Sequence, residues 1–386
     1  MAGRMARRVV PVAGATGRHA LLPLGTLVVS GWVVQRGGMA AWSTVVGPLV
    51  LVQLAVHLMQ WGQRDLVLRM LRGGHVDGAA AWRVSGWSRA MVAMPVVLLA
   101  AWAVQLPWPW VVAWAAAAGV AGSFEPLIVR HKRFTPALLA DLAGLAAQFA
   151  VLLQAGTTDA GTVACSFAMH HAVRGVLLWW AAGKPSPWPP ATDLRQHVVK
   201  AVPFVLIGLS GLLATRIDVY VVAATGQGEL VGSYQVAAAL FVQFQVIPGL
   251  LARPFGTGLL RMEAGRLIRA ADRSLAWGTA LAMPQALLAG FVLRHGFHVE
   301  TPWALLVAGG AGMVPAWGYV ALFPVLYAAH REQWVVALAF GCAACTALGA
   351  WAMVPRWGLA GGLAAAALGQ WVQWAGARLL AERCRK

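Results

Sequence analysis

The sequence predicts an all-α polytopic membrane protein of about 12 transmembrane helices, arranged as two six-helix lobes with both termini cytoplasmic. Three observations predict it. The 386-residue chain is 60% hydrophobic with a mean hydropathy of +0.68, yet carries a formal charge of +17. Its apolar runs recur at the length a helix needs to cross a bilayer, about 17–25 residues. Nearly all of its Lys and Arg fall in every second connection between those runs, the asymmetry that orients membrane helices.

The first six runs lie at 19–35, 39–62, 90–106, 110–128, 134–155 and 163–182, the second six at 201–224, 230–252, 274–292, 302–328, 333–353 and 358–377. Gly (43) and Pro (20) are abundant, as membrane helices tolerate because neighbouring helices satisfy the freed backbone groups. With the N-terminus in the cytoplasm, Arg4, Arg7, Arg8 and Arg18 precede the first run. The loops around 63–89, 130–133, 183–200 and 253–273, then Arg331 and the C-terminal end, bring that side to 25 of the 30 basic residues. The opposite side has Arg36, Arg294 and Arg356, and only Arg174 and Arg216 fall inside runs.

This dispersal excludes a nucleic-acid partner, which would select cations clustered on one soluble face. The loop cations instead meet anionic membrane lipids. The basic N-terminus resembles the start of a signal peptide, but the first run lacks a convincing small-residue cleavage site and reads as a retained helix. Cys342 and Cys345 form C-x-x-C within a helix that also holds Gly341 and Gly349. They read as small residues that let helices approach closely, not as redox or metal ligands.

The segment Lys184-Pro-Ser-Pro-Trp-Pro-Pro190 blocks helix near the middle of the chain. It divides an N-terminal lobe (1–182) from a C-terminal lobe (201–386) through a cytoplasmic linker (183–200). The lobes look related at a shift of about 190 residues, as internal repeats of transporters do: Val46, Val52, Gln53 and Val56 recur as Val236, Val242, Gln243 and Val246. No external loop approaches the roughly 50 residues a folded domain needs.

Polar residues within the runs are expensive, face the protein interior and mark functional positions. In the sixth run His170, His171 and Arg174 share a face at spacings of four and three. They form either a cationic patch for an anionic group or an interhelical hydrogen-bond cluster. Arg216 and Asp218 in the seventh run point about 200° apart and so do not pair. Gln53, His57, Gln60 and Arg64 make one polar stripe along the second run, read as a cavity lining. Gln370 and Gln373 share a face of the last run and complete it. Asp141, on one face with Gln148, and Asp218 are the candidates for proton or cation coupling, or for structural pairing with Arg. Trp108, Trp110, Trp303 and Trp357 fall at run ends, where an aromatic belt places them. The chain contains no P-loop, no H-E-x-x-H and no nucleophile-elbow motif on a strand-to-helix turn. No catalytic residue, metal ligand or cofactor is expected.

From Arg216-Ile-Asp218 the sequence continues to Gly232-Ser-Tyr234, then a small-residue helix with Pro248 and Pro254. This resembles the polysaccharide flippases of the multidrug/oligosaccharidyl-lipid/polysaccharide exporter superfamily, whose seventh helix carries an Asp followed by a short loop, Gly-x-Tyr and a later proline. The second run, with Gly62 and the Arg-containing residues after it, is similar too. The resemblance implies two six-helix lobes around a central cavity and alternating access. It also implies an undecaprenyl-pyrophosphate-linked oligosaccharide substrate in the cytoplasmic (inner) membrane, and polysaccharide polymerase and glycosyltransferases as pathway partners. Asp218, Gly232 and Tyr234 match the family pattern; Arg174 and Arg216 are candidates on their own chemistry. The chain is short for the family and lacks the two extra C-terminal helices of lipid II flippases. A cation-coupled multidrug exporter of the same superfamily is the alternative, disfavoured because Arg and His within the runs outnumber Asp. A membrane glycosyltransferase or polymerase would need a large outer loop.

Overall fold

The computed structural model describes residues 2–60, 108–186, 194–224, 228–252, 259, 262–329 and 331–385, with 80, 82–84, 86, 87, 95, 98 and 102. Among these residues every regular element is a helix: α1 (Ala2–Gln60), α2 (Trp108–Ser123), α3 (Glu125–His131), α4 (Phe134–Ala155), α5 (Ala160–Ala181), α6 (Leu194–Ala224), α7 (Glu229–Ala252), α8 (Ala264–Phe297), α9 (Trp303–Ala328) and α10 (Glu332–Arg385). Eight are long and apolar enough to cross a membrane, counting Pro109–His131 as one.

Two of these eight hold two expected runs each. α1 is broken at Gly38 (φ 76°, ψ 175°) and α10 at Gly358 (φ 53°, ψ −130°). Both backbones are left-handed, which only glycine adopts at no steric cost. α5 does not reach the same apolarity, because His170, His171 and Arg174 sit within it. At 22 residues and 1.5 Å per residue it is still about 33 Å long, enough to span. Eleven of the twelve expected runs therefore lie in described helices, and 90–106 falls almost wholly outside the described residues.

One boundary is corrected. The basic segment before the ninth run is not loop throughout, because α8 begins at Ala264. Leu267, Ile268 and Ala271 of its first turns are buried against Leu322 and Val325 of α9 and Ala377 and Ala381 of α10. Arg266, Arg269 and Arg273 face outward. Arg378 fastens the arrangement, with Nη1 3.0 Å from Asp272 and Nε 3.0 Å from Glu382. Alternating cations lower the hydropathy of such an amphipathic stretch, so apolarity alone marks only its second half. Likewise α6 is helical from Leu194, inside the segment expected as linker.

The chain divides into two compact units. Unit 1 holds residues 1–29 and 47–209; unit 2 holds 30–46 and 210–386. In unit 1, α5 packs against α2 and α4. Its start is capped by Asp159, which accepts from the Thr162 backbone N–H at 2.9 Å and from the Thr162 hydroxyl at 2.7 Å. Those bonds, the hydroxyl's first, hold the Asp159 carboxyl below its ordinary pKa. The cap is therefore complete above the ordinary carboxylate range and weakens only as pH falls into acid. In unit 2, α9 packs against α7, α8 and α10.

Close approach at two glycines sets these packings. A Cβ on Gly144 of α4 would lie 2.8 Å from the His170 carbonyl of α5, a backbone atom that cannot step aside. A Cβ on Gly362 of α10 would run into the Tyr234 ring of α7. Gly47 of α1, by contrast, has nothing within 4 Å of such a Cβ. Gly144→Ala should destabilise the purified protein by about 1–3 kcal/mol through forced separation of α4 and α5. Gly47→Ala should be neutral or stabilising by up to about 1 kcal/mol. Thermal unfolding of the two variants in one detergent checks both.

Candidate functional site

Unit 1 buries a charged cluster. Arg174 of α5 donates from Nε to Oδ1 of Asp141 on α4 at 2.5 Å, and from Nη2 to Oε1 of Glu125, the first residue of α3, at 3.2 Å. Arg174 and Asp141 are buried, and the Glu125 side chain is 21% exposed. The arginine thus ties together three helices and carries no uncompensated charge. Arg174 and Asp141 each sit a helical turn or two from polar residues on their own helices, as their spacing predicts. His170 and Gln148 are buried with them, and the His170 and His171 rings meet edge to face at 4.7 Å. Both His170 ring nitrogens, His171 Nδ1 and Gln148 Nε2 are buried without a hydrogen-bond partner among the described residues. The contacts between helices in this cluster are thus those of Arg174. Glu125 was not singled out by sequence for this role, since nothing in its neighbourhood specifies a partner 49 residues away.

The stripe on α1 is only partly described. Gln53 and His57 are half-buried, and the His57 imidazole packs over Gly208 of α6, where a Cβ would lie 2.6 Å from Cε1. The side chain of Gln60, and Arg64, lie outside the described residues.

In unit 2 the Tyr234 hydroxyl of α7 donates to Oδ2 of Asp218 on α6 at 2.5 Å. Tyr234 is fully buried and Asp218 4% exposed. Gly232 stands where a Cβ would strike the Ser43 hydroxyl, and its backbone N–H donates to that hydroxyl at 3.1 Å. One turn on, Gln235 accepts from the Trp42 indole N–H at 3.0 Å. The three residues of the Asp, Gly-x-Tyr pattern therefore join α6 and α7 and seat the 30–46 segment on α7. Gln370 of α10 donates to the Ala214 carbonyl of α6 at 3.2 Å and accepts from the Tyr319 hydroxyl of α9 at 2.9 Å. Gln370 and Gln373 are both buried, and Gln370 serves as a three-helix knot. The Cys342 thiol packs against the same Ala214 carbonyl at 3.7 Å, and the four cysteines are free thiols.

Arg216 differs from Arg174. It is half-buried, and among the described residues it makes no ion pair within 4 Å and no hydrogen bond. Its neighbour Asp218 is turned to Tyr234, in line with the 200° separation of the two side chains. No group of three or more potential metal ligands occurs among the described residues.

No family model and no curated protein matches the chain. Solved structures do. A lipid II flippase, MurJ, in an inward closed conformation aligns over 95% of this chain and 87% of its own, with a TM-score of 0.72 and 10% identity. An inward-facing multidrug resistance MATE family transporter of the MOP superfamily aligns over 93% of both chains, with a TM-score of 0.63 and 13% identity. A eukaryotic MATE transporter aligns over 98% of both, with a TM-score of 0.62 and 14% identity. The chain has the fold of these transporters.

The ion cluster can be tested apart from any transport. Arg174→Ala leaves the buried Asp141 without its guanidinium and should cost about 3–5 kcal/mol. The double variant Arg174→Met with Asp141→Leu should recover most of that loss. Unfolding of wild type, both single variants and the double variant gives the coupling; an Arg174→Ala protein as stable as wild type would refute the pairing.

Proposed function

We propose that the chain is a flippase that moves an undecaprenyl-pyrophosphate-linked oligosaccharide from the cytoplasmic to the outer leaflet of the cytoplasmic membrane, by alternating access and without catalytic chemistry. The observation that carries this reading is the fold it shares with a lipid II flippase over nearly its whole length. The Asp218, Gly232 and Tyr234 pattern supports it, as does the 25-to-3 distribution of cations, the asymmetry that accompanies cytoplasmic termini. Arg216 is the residue we assign to the substrate's pyrophosphate. It is a guanidinium within an apolar helix that, among the described residues, makes no ion pair within 4 Å, Asp218 acting on it only at longer range, and guanidinium forks suit phosphate. Arg174 is assigned to the structure of unit 1, its charge already answered. Glycosyltransferases and a polymerase of the same pathway would supply and consume the substrate.

A cation-coupled multidrug exporter is the second reading, favoured by the likeness to MATE transporters. The two separate in cells lacking a flippase for a lipid-linked surface glycan. Expression of the wild-type chain should restore surface polymer and leave drug sensitivity unchanged. Arg216→Ala, at equal membrane abundance, should lower surface polymer at least about tenfold, the effect of losing one charge-assisted contact or two. Raised resistance to cationic drugs without surface polymer would decide for the exporter.

A further inference from the structure

We propose that a groove in unit 1, at the end bearing the Arg-rich connections, is a binding site for an anionic phospholipid of the surrounding leaflet. Its chain lies along the groove and its phosphate meets Arg83.

The groove has a volume of about 610 Å³, within the range of small-molecule pockets. It is walled by Met59 of α1, Val120 and Phe124 of α2 and its exit, Val176 and Trp179 of α5, and Trp82. Met59, Phe124 and Trp179 each lie within a few residues of a helix end. Those ends lead to Arg64, to Arg130, Lys132 and Arg133, and to Lys184. The site therefore opens where the chain concentrates its positive charge. From Ala116 to Phe124 the wall runs about 12 Å along α2 at 1.5 Å per residue. One leaflet's share of the hydrocarbon core is about 15 Å, so the groove covers most of an acyl chain's depth.

The wall offers a ligand almost nothing polar. Trp82 stacks on Phe124 with ring centroids 5.2 Å apart. Its indole N–H donates to the Ser123 hydroxyl at 3.0 Å, which donates in turn to the Val120 carbonyl at 2.6 Å. Both polar groups are thus consumed within the wall. Arg83 is the exception. It lines the groove, and its Nε is buried with no hydrogen-bond partner among the described residues. A guanidinium among tryptophans, with a buried unpaired N–H, is stabilised by an anion carried on an apolar body. A soluble phosphate would leave the apolar wall uncovered; a phospholipid satisfies wall and guanidinium together. Val120 and Val176 are 54% and 61% exposed, so a chain can enter from the side. This site takes lipid whether or not the chain transports glycans.

The test uses the purified full-length protein in vesicles of phosphatidylcholine with phosphatidylglycerol carrying a photoreactive acyl chain. Crosslinks should map to the α2 and α5 segments around Val120 and Val176. Val176→Trp, at an outward position that cannot disturb packing, should remove them, while labelling around the equally exposed Leu139 of α4 (60%) persists. Arg83→Gln should lower retention of phosphatidylglycerol over phosphatidylcholine, read by native mass spectrometry, about tenfold. Labelling spread evenly over all exposed apolar faces, or an unchanged preference in Arg83→Gln, would overturn the proposal. So would retention of an added polyprenyl phosphate in place of phosphatidylglycerol.

Discussion

A guanidinium fully buried in an apolar helix is costly unless acceptors from other helices meet it, and in unit 1 that requirement organises the packing. Arg174 reaches Asp141 on α4 and Glu125 on α3, so three helices are fixed relative to one charge. The reach is short, and α4 must lie almost against α5. Gly144 makes this possible, because any side chain there would meet the His170 carbonyl. Removing the acceptor is therefore not a local change. A buried charge left unpaired costs several kcal/mol, whereas replacing the whole pair by apolar groups can be nearly neutral.

Unit 2 solves the same problem with neutral and singly charged hydrogen bonds. Tyr234 donates to Asp218, Gln370 bridges α6 and α9 from α10, and Gln235 receives Trp42. Tyr234 lies opposite Gly362, and Gln370 is anchored on the Ala214 carbonyl. Arg216 differs from these: among the described residues its guanidinium makes no close ion pair or hydrogen bond, with Asp218 acting on it only at longer range, and the proposed pyrophosphate contact uses that guanidinium.

The helices were legible because membrane spans are set by length and apolarity, which the chain states directly. The breaks at Gly38 and Gly358 fall where the apolar runs divide. Legibility failed where polarity serves packing. The first turns of α8 are helical but carry Arg266, Arg269 and Arg273, so hydropathy assigns them to loop. The site was half legible. Periodicity placed His170 with Arg174 and separated Arg216 from Asp218, because both relations lie within one helix. It could not supply Glu125 for Arg174, Tyr234 for Asp218 or Tyr319 for Gln370, since partners on different helices leave no spacing to read. Gly144 reads as an ordinary small residue in an apolar run, and only the neighbouring helix gives it a reason.

Arg174 ties α3, α4 and α5 together, whereas Arg216 is the residue proposed to meet the substrate. The direct measurement is leaflet-to-leaflet movement of a fluorescent undecaprenyl-pyrophosphate oligosaccharide in vesicles containing the purified chain. The charge-neutral pair Arg174→Met with Asp141→Leu should move it within about threefold of the wild-type rate, whereas Arg216→Ala should lose about tenfold or more. Undiminished movement by Arg216→Ala, together with loss of movement in a fully folded Arg174→Met, Asp141→Leu protein, would reverse the two proposed roles.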